Sequence, residues 1–346
     1  MPEVIVQKGE LKDLVVQKLT AADVIEEHAR VVADVLVHAD LRGIHSHGVL
    51  RTEHYVKRLN EGGMNPMPAF TIEQKGMSAA LFNGDNGMGH VVVKEAMDHA
   101  IELSKENGIG IVGIVNSSHC GALSYFAEQA AAEETISMIM TQTDSAVVPF
   151  GGSEPYFGTN PIAYGFPAKE QKPIILDMAT SNVALGKILH AREQGTSIPD
   201  NWGVDDNGKQ VTDPNLVKHL LPVGGPKGYG LALTVDVMTG ILTGSAFGPN
   251  ITTMYGDYGK NRRLAHVIIT IDPGLFIDKE QFLSNIDQMI NELHEVKPAE
   301  GFSAVMVPGE PEQLKEEVRS NEGIPVSQSI YDYLKLDSTS VLKNSN

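Results

Sequence analysis

Ile109-Gly110-Ile111-Val112-Gly113-Ile114-Val115-Asn116-Ser117-Ser118-His119-Cys120-Gly121-Ala122 is the stretch that decides the fold class. Its first seven residues are a short, β-branched apolar run without helical spacing, which predicts a buried strand. Behind it, residues 91–107 carry apolar positions three and four apart and close on Asn107-Gly108, a helix-stop signal. Ahead of it, residues 122–134 return to helical spacing, and residues 135–141 form another short apolar strand. Helix, strand, helix and strand in alternation point to an α/β protein, and the alternation by itself favours a parallel sheet. In such folds ligands gather just beyond the carboxyl ends of strands. His119 falls there and is placed to act as a general base. Neighbours in sequence seldom face one another, so Cys120 reads as a small packing residue rather than the nucleophile of a Cys–His pair.

The same patterning extends outward. Residues 70–83 alternate weakly and predict a strand pair, closed by the turn cluster Asn83-Gly84-Asp85-Asn86-Gly87. Residues 173–178, 265–271 and 304–307 predict further strands. Residues 11–19, 21–41, 182–192, 229–242 and 278–295 predict helices, with a break at Thr20 or Ala21 between the first two, and two more helices close the fold. Residues 200–214 are polar and turn-rich, a surface excursion. Residues 337–346 form a polar tail expected to be poorly ordered. No internal repeat is visible.

Composition narrows the function. The chain has 346 residues, with 27 basic and 44 acidic side chains and a net charge of −17. No basic stripe offsets that balance, so nucleic acid is not an expected partner. Any anion must be held locally, by a few arranged cations and backbone amides. One cysteine excludes an internal disulfide and any zinc cage of several thiolates, and it suits a reducing compartment. No apolar run reaches membrane-spanning length, and no signal segment opens the chain, so the cytoplasm is the expected location. No metal-ligand cluster is apparent.

Four constellations carry chemistry. In Gly43-Ile44-His45-Ser46-His47-Gly48-Val49-Leu50-Arg51-Thr52-Glu53-His54-Tyr55, Ser46 reads as an N-cap. His47, Arg51 and Tyr55 then fall at i, i+4 and i+8 on one helical face. They offer a proton carrier, a fork for a carboxylate and a phenol donor, a set suited to a small oxygenated anion. The plain alternative is a surface helix of mixed charge, since Glu53, Lys57 and Arg58 share it. His119 is the second constellation. The third is Gly224-Gly225-Pro226-Lys227-Gly228-Tyr229-Gly230, running into an apolar helix, where free amides and Lys227 suit a phosphate; a plain glycine turn with a solvated lysine fits equally. The fourth is Leu176-Asp177-Met178-Ala179-Thr180-Ser181, whose Asp177 either holds a ribose hydroxyl or caps the next helix. Thr141-Gln142-Thr143-Asp144 is the same kind of strand end. No Rossmann fingerprint, a glycine-rich turn leading from a strand into a helix, and no Walker-type loop appears, so a dinucleotide would bind by another scheme.

Together these segments resemble the second, non-Rossmann type of malate/lactate dehydrogenase. The resemblance covers nearly the whole chain and rests on Ser46-His47-Gly48 with Arg51 and Tyr55, Gly158-Thr159-Asn160-Pro161, Leu176-Asp177-Met178-Ala179-Thr180, Pro226-Lys227-Gly228-Tyr229-Gly230 and Pro308-Gly309-Glu310-Pro311. It implies an α/β fold whose non-Rossmann, largely antiparallel mixed sheet is flanked by helices, in place of the parallel sheet. It implies an N-terminal helical substrate segment, residues 1–70, packing with residues 275–346, around an NAD-binding region at residues 71–274. It implies NAD(P)-linked oxidation of an alcohol next to a carboxylate, on a small anionic 2-hydroxy acid, by a homodimer or higher homo-oligomer with its site near the subunit contact. NAD is the default cofactor and NADP stays open, because no basic residue is assigned to a 2′-phosphate. By the same resemblance His119 is the proton acceptor and His47 matches a proton donor of related reductases. Arg51, Tyr55 and Asp144 contact substrate, and Thr143, Asp177, Met178, Ala179, Lys227, Gly309 and Glu310 contact the nucleotide. No metal enters this chemistry.

Overall fold

The computed structural model describes residues 2–336; the tail expected at residues 337–346 lies outside the described residues. The strands are β1 (Glu3–Val6), β2 (Thr71–Gly76), β3 (Ala79–Asn83), β4 (Ile109–Ser117), β5 (Ile136–Thr141), β6 (Ile162–Phe166), β7 (Ile174–Met178), β8 (Gly203–Val204), β9 (His219–Leu220), β10 (Leu264–Ile271) and β11 (Ile324–Ser327). The helices are α1 (Lys8–Thr20), α2 (Glu26–Leu41), α3 (Thr52–Asn60), α4 (Gly89–Asn107), α5 (Ser124–Ala132), α6 (Leu185–Gln194), α7 (Pro226–Asp236), α8 (Lys279–Glu295), α9 (Glu310–Glu322) and α10 (Gln328–Lys335).

Seven strands form the central sheet in the order β2-β3-β4-β10-β5-β6-β7. Only β3 and β4, joined by the α4 crossover, pair in parallel; the other neighbours are antiparallel. The fully parallel sheet suggested by alternation is therefore corrected, and the largely antiparallel one holds. The cause is β10, which returns from far down the chain and inserts between β4 and β5. Alternation records the order of elements, not which become neighbours. Lying at the centre, β10 is buried along most of its length. Its one ionisable residue, His266, is satisfied at both ring nitrogens, with Thr141 Oγ1 at 2.6 Å and Ser117 Oγ at 2.8 Å.

Helices α4 and α5 cover one face. Val92, Ala96, Met97, Ala100 and Phe126 pack there against Val112, Ile114, Ile139 and Ile268. A second core joins α1 and α2 to α3, β11 and α10. β1 pairs antiparallel with β11, so the two ends of the described chain meet. Those four-residue strands, and β6, escaped the sequence reading because runs this short carry little periodicity.

Residues 304–307 form no strand. The main chain just after them does the edge's work instead, with Ile175 N donating to Pro308 O at 3.0 Å and so satisfying part of β7. The helix expected at residues 229–242 starts earlier, at Pro226, and gives way to a π-helical turn at Val237–Ile241.

Candidate active site

His47, Arg51 and Tyr55 do not share one helix. His45–His47 and Val49–Arg51 are separate 3-10 turns, and α3 begins only at Thr52. The break is Gly48, whose added Cβ would lie 2.2 Å from Asp40 Oδ1. Asp40 is buried in α2 and organises the segment: its carboxylate accepts from Val49 N at 2.7 Å and meets His45 Nδ1 at 2.7 Å. Ser46 caps nothing; its Oγ sits 3.0 Å from His47 Nδ1.

The turns nevertheless bring the three side chains around His119. The rings of His47 and His119 stack at 5.4 Å, 23° apart. The Tyr55 hydroxyl lies 2.7 Å from His119 Nδ1. His119 itself is placed by a close crossing with α4. Gly89 N donates to Ser118 Oγ at 2.8 Å, and a Cβ on Gly89 would fall 2.2 Å from Ser118 O and 2.6 Å from His119 O. Burial, the His47 ring and the Arg51 guanidinium push the His119 pKa well below the usual histidine value. Burial first, then Arg51, brings His47 down to about 4. Both rings are thus neutral near pH 7 and free to exchange a proton. Cys120 is buried and its thiol is pushed up to about 12, chiefly by burial, so it packs and does not attack.

Arg51 donates from Nε to Ser46 O at 2.7 Å and from Nη1 to the Tyr255 hydroxyl, with Met254 Sδ at 4.0 Å. Its Nη2 has no partner among the described residues. Tyr255 belongs to the loop of residues 251–263, which is pinned from two sides. Arg58 of α3 donates to Met254 O and Lys260 O, at 2.8 and 2.7 Å. Asp144 accepts from Met254 N at 3.1 Å and from the buried Arg262. In this structure the Asp144 carboxylate is thus committed to the loop.

The sequence reading missed Arg262, Arg58 and Tyr255, whose roles depend on contacts about 110 to 200 positions away. It also missed His90, fully buried beside Tyr55 and His119 with both ring nitrogens unpartnered. An apolar-flanked histidine at the start of a helix gives no signal.

The segments proposed for a nucleotide lie along one seam. Thr143 Oγ1 accepts from Thr159 N at 2.9 Å, Thr159 O accepts from Thr180 N at 2.8 Å, and Thr180 O accepts from Val223 N at 2.9 Å. Val223 leads directly into Gly224-Gly225-Pro226-Lys227 at the start of α7. Gly309 joins at the edge of β7, next to Ile175. Lys227 is exposed and has no ion-pair partner among the described residues, at the first turn of a helix. A cavity of about 540 Å³, lined in part by Asn182, Leu221, Pro222, Gly224 and Gly225, opens at the glycine turn that precedes Lys227, though Lys227 itself does not line it. An unpaired lysine, a glycine turn and a groove fit a dinucleotide's diphosphate. Two acidic members of the set already have structural partners. Asp177 caps α5 rather than the helix that follows it, accepting from Ser124 N at 2.8 Å, and burial raises its pKa to about 6. Glu310 accepts from Val307 N at 2.9 Å and meets His294 Nε2 at 2.9 Å.

The mixed sheet thus brings a neutral histidine pair and an arginine together beside a seam of backbone amides that ends at an unpaired lysine. The chain belongs to the malate/L-lactate dehydrogenase family, whose model matches residues 6–335. It is 44% identical to a ureidoglycolate dehydrogenase (NAD(+)) of Escherichia coli K12 over 96% of this chain and 95% of that one. It is 40% identical to a malate dehydrogenase of Pyrococcus abyssi, covering 95% and 92%. The solved sulfolactate dehydrogenase of Methanocaldococcus jannaschii superposes with a TM-score of 0.92 at 36% identity, covering 98% of each chain.

Proposed function

We propose that this chain oxidises (S)-ureidoglycolate to oxalurate with NAD⁺, as a step of allantoin breakdown. The observation that carries the chemistry is the His47–His119 stack beside Arg51. The choice of substrate is supported by the 43–44% identity to ureidoglycolate dehydrogenases, and by segments that read like that enzyme: residues 38–48, 147–152, 197–200 and Met254-Tyr255.

Arg51 grips the substrate carboxylate through its free Nη2 edge, which fixes the carbinol carbon against the histidines. His119 takes the hydroxyl proton and His47 hydrogen-bonds the same oxygen. General-base help of this kind is worth about 10²–10⁴-fold. Thr143, Asp177, Met178, Ala179, Lys227, Gly309 and Glu310 would hold the cofactor, with Lys227 supplying the positive charge for its phosphates and the two carboxylates shaping the walls. Bound there, NAD⁺ supplies the hydride acceptor. Asp144 serves the substrate side by fixing the loop that carries Tyr255. Residues 1–70, packed with 275–346, supply His47 and Arg51 to the substrate side, and residues 71–274 form most of the nucleotide side, with His119 and Asp144 reaching the substrate and Gly309 and Glu310 reaching the cofactor.

The same reading includes a homodimer in the cytoplasm. Leu231, Leu233, Val237, Ile241 and Leu242 expose an apolar strip along α7 and its π turn, which a second copy would cover. The single buried cysteine suits a reducing setting.

The test is absorbance at the reduced-nicotinamide band, with NAD⁺ or NADP⁺ and ureidoglycolate, malate, lactate or sulfolactate. Strong reduction of NAD⁺ by ureidoglycolate alone is the expected result. Turnover of another hydroxy acid, or of a cyclic imino acid in reverse, with none of ureidoglycolate would keep the family and remove the proposed substrate.

A further inference from the structure

Tyr55 does not sit as a substrate contact would. It is 1% exposed, its ring lies edge-on to His90 at 5.0 Å, and its hydroxyl is 2.7 Å from His119 Nδ1. We infer that Tyr55 is a positioning residue, whose hydroxyl holds the His119 ring by Nδ1 and so presents Nε2 to the substrate oxygen. This rests on the reading of His119 as the proton acceptor.

A phenol both donates and accepts, so one hydroxyl can serve either state of the ring. When Tyr55 donates to Nδ1, neutral His119 carries its proton on Nε2 and offers a hydrogen bond to a carbonyl oxygen. When Tyr55 accepts from Nδ1–H, Nε2 is bare and can take a proton. Gly121 N, 3.3 Å from the same Nδ1, favours the first arrangement, the one suited to the reverse, reductive direction; oxidation requires the second. During oxidation, which starts from the second arrangement, the hydroxyl proton moves to the bare Nε2. With NAD⁺ bound, the nicotinamide would accept the C–H hydrogen with both its electrons. Nδ1–H stays on the ring and donates to the Tyr55 oxygen, and Tyr55 keeps its own proton. Among the described residues the His119 ring nitrogens meet Tyr55 Oη and Gly121 N, and of these only the phenol can accept, so it is the phenol that receives Nδ1–H, and orientation rather than a counter-charge is what it contributes.

Tyr55→Phe keeps the ring and removes the hydroxyl. Two readouts are taken. The first is ¹⁵N NMR of histidine-labelled, cofactor-free protein, with the His119 signals identified by their loss in His119→Gln. The second is steady-state kinetics with the proposed substrate. The expected results are a changed Nδ1/Nε2 tautomer pattern at His119, and a kcat about tenfold to a hundredfold lower with KM nearly constant. A raised KM with unchanged kcat would make Tyr55 a substrate contact and overturn the inference. So would an unaltered His119 spectrum. If Tyr55→Phe does not fold, 3-fluorotyrosine labelling of the unmutated chain makes the phenol more acidic; the His119 Nδ1 signal must move, and a fixed signal overturns the inference. His119→Ala separates the two readings. Turnover kept within tenfold removes His119 as the base and this role of Tyr55 with it. An inactive His119→Ala beside a Tyr55→Phe unchanged in spectrum and kcat removes only the role of Tyr55.

Discussion

At the scale of single residues, the proposed site surrounds neutral histidines with fixed cations. Burial and the Arg51 guanidinium disfavour the protonated forms of His119 and His47, so both stay ready to accept a proton at neutral pH. Because the shift is downward, the acid limb of kcat/KM should lie below the ordinary histidine value of about 6.5. A pH–rate profile reads this directly, and an acid limb at 6.5 or above would contradict the environment described. Arg51→Lys should raise KM for the hydroxy acid while altering kcat less, because a point charge cannot replace the planar fork held by Ser46 O and Tyr255. Unchanged kinetics would take Arg51 out of the site. The sequence drew attention to His119, Arg51 and Tyr55 as residue types at telling places, but not to the contact between Tyr55 and His119, since a phenol bonded to a ring 64 positions away leaves no mark on local spacing.

Among elements, the decisive contacts run between a strand end and a helix start. Asp177, at the carboxyl end of β7, caps α5, and α5 begins four residues after Cys120. The His119 loop is thereby fastened to the seam proposed for the nucleotide. Asp177→Ala should cost about 1 kcal/mol of stability, the usual value of a lost N-cap, read by denaturant unfolding. A loss of NAD⁺ affinity with no change in stability would mean that the cap is incidental. The strand–loop–helix order here was visible in the sequence, whereas capping of a helix by a residue 53 positions downstream was not. The helical face proposed for His47, Arg51 and Tyr55 failed for a local reason. Gly48 must lie flat on the Asp40 carboxylate, and that contact breaks the helix into turns.

Across the whole molecule, the acidic exterior encloses an interior holding several neutral histidines. Seven of them, His28, His38, His47, His54, His90, His119 and His266, have pKa values pulled below the ordinary one, burial being the main cause in each. Against them, burial raises four carboxyls: Asp40, Glu128, Asp177 and Asp236. A depressed histidine stabilises the fold above its unfolded pKa, and that contribution is lost as pH falls through the folded value. A raised carboxyl acts in the opposite sense. With the histidines in the majority, unfolding near pH 5.5 should take up protons on balance. Calorimetry in buffers of different ionisation enthalpy measures this, and net proton release would show that the carboxyls dominate.

The sequence by itself determined the α/β class, most strands and helices of the central sheet, and the residue types of the site, because periodicity and turn chemistry are local. Through family motifs it also carried the non-Rossmann, largely antiparallel sheet that alternation alone would have misdrawn. Only the tertiary structure shows that β10 lies between β4 and β5, that β1 meets β11, that the Tyr55 hydroxyl meets His119, and that His90, Arg58 and Arg262 gather nearby. Each of these is a contact between residues far apart in the chain. Such contacts are chosen by which buried surfaces and hydrogen-bonding groups can be satisfied together, a condition that no single segment contains.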